Sequence, residues 1–306
     1  MVSRTEKNKI KRQKIIKAEK KENRKKILNV TTKILIWLFI IFSILYFILR
    51  YVGNYGLIVK EDVVISNNLP ENFHGTKIIH FTDLHYGTSI KTKELKTIVK
   101  KINDIKPDLI IFTGDLVDKH YSITKKESTE LTEQLNKLNA KLGKYAVQGN
   151  HDKKNFNSIM KDTDFIVLDN TYDLIYKDNN VPILISGVGS SLLKNMDIDK
   201  AYSYFNEDNS NQSIYTIGIL HEPDSIDNII ENYKVDLALA GHSHNGQIRF
   251  PFSPALVKVL GAKKYYEAKY EINDTKLFIS GGVGTSKYPF RLFNHPSINL
   301  IRLRQY

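Results

Sequence analysis

The 306-residue chain contains no cysteine. Disulfides, thiol catalysis and cysteine-ligated zinc are therefore excluded, and any metal must sit on His, Asp, Glu or Asn. Acidic residues are scarce at the start: residues 1–33 hold thirteen Lys or Arg against three Glu, ten of the twelve net positive charges. The other 273 residues carry only +2, so the globular part lacks the basic footprint of a nucleic-acid reader. Long apolar runs are also absent, with one exception.

That exception is residues 34–49, ILIWLFIIFSILYFIL, free of charge between Lys33 and Arg50. Its sixteen residues rise only about 24 Å as a helix, against a hydrocarbon core of about 30 Å. Thr31, Thr32, Tyr51 and Val52 must help to complete a crossing, so the reading is a signal anchor over residues 34–52, with Trp37, Tyr46 and Tyr51 as lipid-facing or interfacial aromatics. A cleaved signal peptide is the competing reading. The long basic segment and the lack of a small-x-small site in RYVGNYGLIVK speak against it. Lys and Arg concentrate on the cytoplasmic side of a span, so residues 1–33 are expected in the cytoplasm and the C-terminal domain outside it. The tail is then a solvated topology signal or a basic helix lying on anionic lipid.

Residues 53–74 read as a linker and first strand region, and residues 75–306 as the catalytic domain. Beyond residue 60, short apolar runs alternate with polar helical stretches, the pattern of an α/β sandwich. Strands are predicted at 77–82, 108–113, 145–148, 165–169, 182–188, 215–220, 235–240 and 276–281, and helices at 91–105, 124–141 and 225–233. The stretch 201–213, AYSYFNEDNSNQS, reads as a surface insertion.

Ligand-type residues follow five of these strands: Asp83 and His85 after the first, Gly114-Asp115 after the second, Gly149-Asn150-His151-Asp152 after the third, His221 after YTIGIL, and Gly241-His242-Ser243-His244 after VDLALA. Carboxyl ends of strands are where open α/β sheets build their sites, so these residues are expected in one cleft. Carboxylates, imidazoles and an amide oxygen suit a pair of divalent cations such as manganese, iron or zinc, with Asp115 shared between them. Gly114, Gly149 and Gly241 suit turns that need positive φ. The alternatives are ordinary ones: Asp83 and Asp115 as helix caps, and His221 as a hydrogen-bonded structural residue. Caps do not account for His85, Asn150 and the His pair.

In this order, D-x-H, G-D, G-N-H-D, a lone His and G-H-x-H resemble the calcineurin-like metallophosphoesterases over roughly residues 75–304. The G-H-x-H-x-G-Q run at 241–247, with GGVGTSKYPFR at 281–291, is similar to a membrane-associated bacterial subgroup of YkuE- and YaeI-like proteins. The resemblance implies a four-layer α/β/β/α sandwich and two metal ions, one held by Asp83, His85, Asp115 and His244 and the other by Asp115, Asn150, His221 and His242. It implies that His151 protonates the leaving group and that Asp152 orients its imidazole. Outside the motifs, His80 is expected in the core or between layers, His74 and His295 have no motif context, and His120 is a weak candidate for the cleft. Arg291 either meets a substrate phosphate or joins a surface ion pair.

The expected activity is hydrolysis of a phosphomonoester or phosphodiester, lipid-linked or envelope-linked given the anchor, or of a pyrophosphate in a nucleotide-sugar lipid. The opposing class is a catalytically silent membrane-anchored binding protein. Such a protein would have no physical need for the complete ligand set.

Overall fold

The computed structural model describes residues 3–178, 180–206, 213–286 and 288–306. The chain forms two compact units, Met1–Ile48 and Leu49–Tyr306. The first is essentially one helix, α1 (Arg4–Phe47), started by Ser3, whose side chain accepts the Glu6 N–H at 3.3 Å. The helix is continuous from the basic tail into the apolar run, and a π-helical turn at Ile48–Val52 follows it. By length and composition Arg4–Val52 can cross a membrane, and its apolar window is wholly unburied.

The second unit builds two six-stranded sheets. In chain order its elements are β1 (Ile58–Ser66), β2 (Lys77–Phe81), α2 (Thr92–Ile105), β3 (Leu109–Phe112), α3 (Lys125–Asn136), β4 (Lys144–Ala146), α4 (Phe156–Met160), β5 (Ile166–Val167), β6 (Thr171–Ile175), β7 (Ile183–Gly187), α5 (Ile198–Ala201), β8 (Thr216–Ile219), α6 (Ile226–Ile230), β9 (Leu237–Ala240), β10 (Lys269–Ile272), β11 (Thr275–Ile279) and β12 (Ser297–Gln305). One sheet has the order β1-β12-β2-β3-β4-β5 and the other β10-β11-β9-β8-β7-β6. The middle strands are parallel and covered on both faces, which is why they read as unbroken apolar runs rather than alternating ones.

Period two along each strand sorts side chains between layers. In β2, Ile79 and Phe81 meet Leu95, Ile98 and Ile102 of α2, while Ile78 faces the second sheet with Ile217 and Leu239. Beyond the second sheet, Ala238 and Ile279 pack against Ile226 and Ile229 of α6. The layers are therefore α/β/β/α. Helix α2 shows its buried stripe at Leu95, Ile98, Val99 and Ile102 and stops at Lys106, left-handed at φ 54 and followed by Pro107. A reciprocal capping box of Thr124 and Glu127 starts α3.

Two expectations are corrected here. The stretch 201–213 is not all surface: Ala201 and Tyr202 are buried, and residues 207–212 lie outside the described residues. Tyr202 is drawn inward to stack on Tyr233, with ring centroids 4.9 Å apart. Arg291 meets neither a cleft nor an ion pair. It is fully buried, and its guanidinium donates to the backbone carbonyls of Asn294, Gly281, Gly282 and Gly284 at 2.6–3.1 Å. Burial pushes its pKa down to about 10, with Asp83 acting in the opposite direction, so it stays charged at neutral pH. Arg291→Met strips donors from four buried acceptors and is expected to lower unfolding free energy by about 3 kcal/mol or more. Denaturant titration of the two proteins checks this, and a loss below about 1 kcal/mol would contradict the assigned role.

Candidate metal centre

The carboxyl ends of β2, β3, β4, β8 and β9 deliver the motif residues from both sheets to one place. Three overlapping groups form there: Asp83 with His85 and His244, His85 with Asp115 and His151, and Asp115 with His221 and His242. His85 Nε2 lies 3.2 Å from His244 Nε2 and 3.5 Å from Asp115 Oδ2, and His244 Nε2 lies 3.3 Å from Asp83 Oδ1. His221 Nε2 lies 3.4 Å from Asp115 Oδ2 and 3.2 Å from Asn150 Oδ1. Two ligand atoms each about 2.1 Å from a common cation stand about 3.0–3.4 Å apart at the angles of tetrahedral or octahedral coordination. The observed spacings match. Among the described residues Asp83 Oδ1 is buried without a hydrogen-bond partner, an acceptor that a cation would satisfy.

Each carboxylate is held by one oxygen and offers the other. Asp115 Oδ1 accepts the His151 N–H at 2.7 Å, leaving Oδ2 toward the imidazoles. Asp83 Oδ2 accepts the His242 N–H at 3.0 Å, leaving Oδ1. The histidines are fixed in the same way, since a carbonyl can only accept. His221 Nδ1 donates to the Thr113 carbonyl at 2.6 Å and His242 Nε2 to the Leu260 carbonyl at 2.7 Å, so in the neutral rings that a cation requires the other nitrogens carry the lone pairs.

Backbone conformation is unusual at these residues. Asp83, His85, Asp115, His242 and His244 have φ of 43–64°, the left-handed region that side chains with a Cβ seldom enter. Of the three motif glycines only Gly114 has positive φ, at 94°, contrary to the expectation for all three. Gly149 serves close approach instead: a Cβ there would stand 2.3 Å from Asp115 Oδ1.

Asp152 does not orient His151. Its carboxylate accepts the backbone N–H groups of Asp115, Leu116 and Gly149 at 2.7, 2.7 and 2.9 Å, clamping the G-D loop to the G-N-H-D loop. The partner of His151 is Asp118, whose Oδ2 lies 3.3 Å from His151 Nδ1 and 3.3 Å from His85 Nδ1. When unprotonated, Nδ1 of His151 instead accepts the Lys119 N–H at 3.3 Å, and with either partner Nε2 is left for the cleft. Asp118 passed unnoticed in the sequence, where the signal was an acidic residue three positions after Asp115 in GDLVD. Asn150 takes its expected place beside His221, whereas His120 is exposed and His80 lies buried between the sheets beside Thr113.

The charges are mutually adjusted. Burial by itself would lower the His85 pKa, but the carboxylates of Asp118, Asp83 and Asp115 outweigh it and raise it to about 9. Burial and the neighbouring Asp115 push Asp152 up to about 7, against the backbone N–H groups that it accepts. Burial would raise Asp83, Asp115 and Asp118, and the surrounding imidazoles hold all three below the ordinary carboxylate range instead. Asp152, His85 and His221, the last raised against burial well above the ordinary imidazole value by the neighbouring Asp115, bind more protons folded than unfolded, so the stability that they give the metal-free domain is lost as pH rises, through about 7 for Asp152 and about 9 for His85. A cation requires neutral imidazole, so metal uptake near neutral pH should expel protons and tighten toward pH 9. Calorimetric metal titration in buffers of different ionisation enthalpy reads the proton count, and zero protons released would refute the sign.

A cleft of ≈ 330 Å³ opens over these residues, lined by His85, Asp115, His151, His242 and His244 on one side and by Ile248, Val257, Val259 and Tyr288 on the other. A two-sheet α/β sandwich that gathers His and Asp at its strand ends is the framework of a metal-dependent hydrolase. The chain belongs to the calcineurin-like phosphoesterase family, whose family model matches residues 76–246. It is 31% identical over 260 residues to the uncharacterized metallophosphoesterase YkuE of Bacillus subtilis, covering 83% of this chain and 88% of that one. An uncharacterized metallophosphoesterase of Helicobacter pylori is 32% identical over 80% of this chain, which spans only 63% of that relative's length. UDP-2,3-diacylglucosamine pyrophosphatase LpxG of Chlamydia muridarum is 26% identical, covering 76% of this chain and 86% of that one. The crystal structure of TT1561 of Thermus thermophilus superimposes with a TM-score of 0.44 at 11% identity, covering 68% of this chain and 90% of that one. Metallophosphoesterases bind two divalent cations, and the clusters described here are candidate ligands.

Proposed function

We propose that this chain is a membrane-anchored phosphoesterase that hydrolyses a phosphomonoester or phosphodiester on the side of the membrane opposite its basic tail. The observation that carries the reading is the placement of Asp115 Oδ2, 3.5 Å from His85 Nε2 and 3.4 Å from His221 Nε2, at the junction of two ligand groups. Asp83, His85, Asp115 and His244 would hold one cation, and Asp115, Asn150, His221 and His242 the other. Manganese, iron and zinc all suit this donor set. Bound there, such cations neutralise phosphate oxygens and make water acidic enough to supply a nucleophile near neutral pH.

The chain's own residues do the remaining work. The carbonyls of Thr113 and Leu260 hold the rings of His221 and His242, and Asp152 keeps two ligand loops in register. His151 gives a proton from Nε2 to the departing oxygen, its ring placed with Nδ1 3.3 Å from the Asp118 carboxylate. No covalent enzyme intermediate is needed. The outward orientation of the domain is supported by the thirteen basic residues that precede the apolar run. A second reading, cleavage of a pyrophosphate in a nucleotide-sugar lipid, is favoured by the similarity to LpxG and by the apolar wall of the cleft.

The test is turnover of bis-p-nitrophenyl phosphate and p-nitrophenyl phosphate by the purified full chain in detergent, stripped of metal and resupplied with manganese, iron or zinc. Metal-restored hydrolysis is expected, and the preferred ester assigns the substrate class. Two bound metals with no turnover on any ester, pyrophosphates included, would leave the silent binding protein as the surviving reading.

A further inference from the structure

Apolar side chains at the rim of the cleft are exposed among the described residues. In the loop that follows Gln247, Phe250 is 50% exposed, Phe252 110%, Leu256 57%, Val257 63% and Leu260 64%, and across from it Phe293 is 64% exposed. Phe252 and Phe293 line one hollow and are both left-handed, at φ 61 and 50. An aromatic residue in that conformation carries backbone strain, and both of these rings stand exposed to water. Contiguous apolar surface of this kind marks a partner or a membrane.

The chain itself says which. The helix able to cross a membrane ends at Val52. Two residues later, Asn54 donates from Nδ2 to the Pro289 carbonyl at 2.8 Å, and the Arg291 N–H donates to the Leu49 carbonyl at 3.0 Å. Two residues of chain reach no more than about 7 Å, so the 289–291 segment is tied close to the level at which the helix leaves the bilayer. That segment is zipped to the apolar loop: Arg249 N–H donates to the Leu292 carbonyl, Leu292 N–H to the Gln247 carbonyl, and Gln247 Nε2 to the carbonyls of Tyr288 and Phe290.

We infer that residues 250–260, with Phe293, form a membrane-docking surface that sets its apolar side chains into the headgroup and acyl boundary of the bilayer in which the chain is anchored. The occupant is lipid. Insertion to about 5–10 Å is the range of such interfacial apolar faces. Because Val257 and Val259 of the same loop also line the metal cleft, the surface runs without a break into the site, and a phosphoester whose organic part lies in the bilayer would enter from that side. The inference rests on the anchoring of residues 34–52 and is independent of the chemistry at the metals.

The single tryptophan makes the test direct. In the full chain carrying Trp37→Phe, Phe252→Trp and separately Leu256→Trp place the only indole on the surface, and Val181→Trp, exposed at the opposite kind of site beside Asn72, serves as reference. The proteins are reconstituted in vesicles of phosphatidylcholine and phosphatidylglycerol, with and without brominated acyl chains. Expected are quenching by brominated lipid at 252 and 256 only, and iodide quenching there about threefold weaker than at 181. Equal iodide access at all three positions would overturn the inference, and so would shielding from both quenchers, which signals a second copy of the chain or another protein surface. Failure of the chain to float with the vesicles would instead refute the anchor on which the inference stands.

Discussion

Asp115→Asn should lower metal-dependent ester hydrolysis by at least about a thousandfold while leaving the domain folded. The substitution is nearly isosteric, and its amide oxygen can still accept the His151 N–H that Asp115 Oδ1 accepts at 2.7 Å. What disappears is the negative oxygen that lies within 3.5 Å of both His85 Nε2 and His221 Nε2. Two cations a few ångströms apart repel strongly, and a shared carboxylate is what offsets the repulsion. Metal content measured by elemental analysis should therefore fall from two equivalents toward one or none, together with turnover. A variant that keeps two metals and near-wild-type turnover would remove Asp115 from the centre. A variant that keeps both metals and loses activity would make it a participant in the chemistry rather than a ligand.

His151→Ala should separate chemistry from metal binding. Proton donation to a leaving group is worth about 10²–10⁴ in rate, and the loss should be greatest for alkyl esters, whose alkoxides depart poorly, and small for p-nitrophenyl esters, whose anion leaves unaided. Metal content should not change. Asp118→Asn tests the arrangement beneath it: with the carboxylate 3.3 Å from both His151 Nδ1 and His85 Nδ1 made neutral, turnover should fall and metal affinity should weaken. Equal losses on both ester types in His151→Ala would count against the acid role and point to a ligand or structural one, as would loss of metal.

The central strands were legible because burial on both faces leaves mostly apolar residues in them, with His80, Ser186 and Thr216 as buried exceptions. β2, β3, β7, β8 and β9 lie within the runs that mark them, and the ligand residues follow the carboxyl ends of β2, β3, β8 and β9, and of β4, which begins one residue before its predicted run. β1 falls in the 53–74 region read as linker and first strand, but its bounds were not legible, because an edge strand alternates: IVKEDVVIS puts Lys60, Glu61 and Asp62 among its β-branched residues, which blunts both its hydropathy and its tendency to pair with other molecules. β12, reading SINLIRLRQ, carries Arg302 and Arg304 toward solvent at the chain end and escaped for a similar reason. Within the site, residue types and order could be read, but not which carboxylate reaches which ring. Asp152 and Asp118 lie on adjacent loops, and only the clamp of Asp152 on three backbone N–H groups leaves Asp118 as the neighbour of His151. Arg291 misled because an Arg in a Gly-rich loop is ordinarily exposed, whereas here four carbonyls surround it.

The left-handed backbone at Asp83, His85, Asp115, His242 and His244 has a consequence for how this protein can be improved. Glycine would occupy each of those conformations without the penalty of about 1–2 kcal/mol that a Cβ incurs there. Selection for heat resistance alone therefore leads away from catalysis at these five positions, and a library ranked by melting temperature will place inactive variants near its top. Stabilising changes have to be sought in the helices and edge strands, and every thermal screen of this chain has to be paired with a turnover assay.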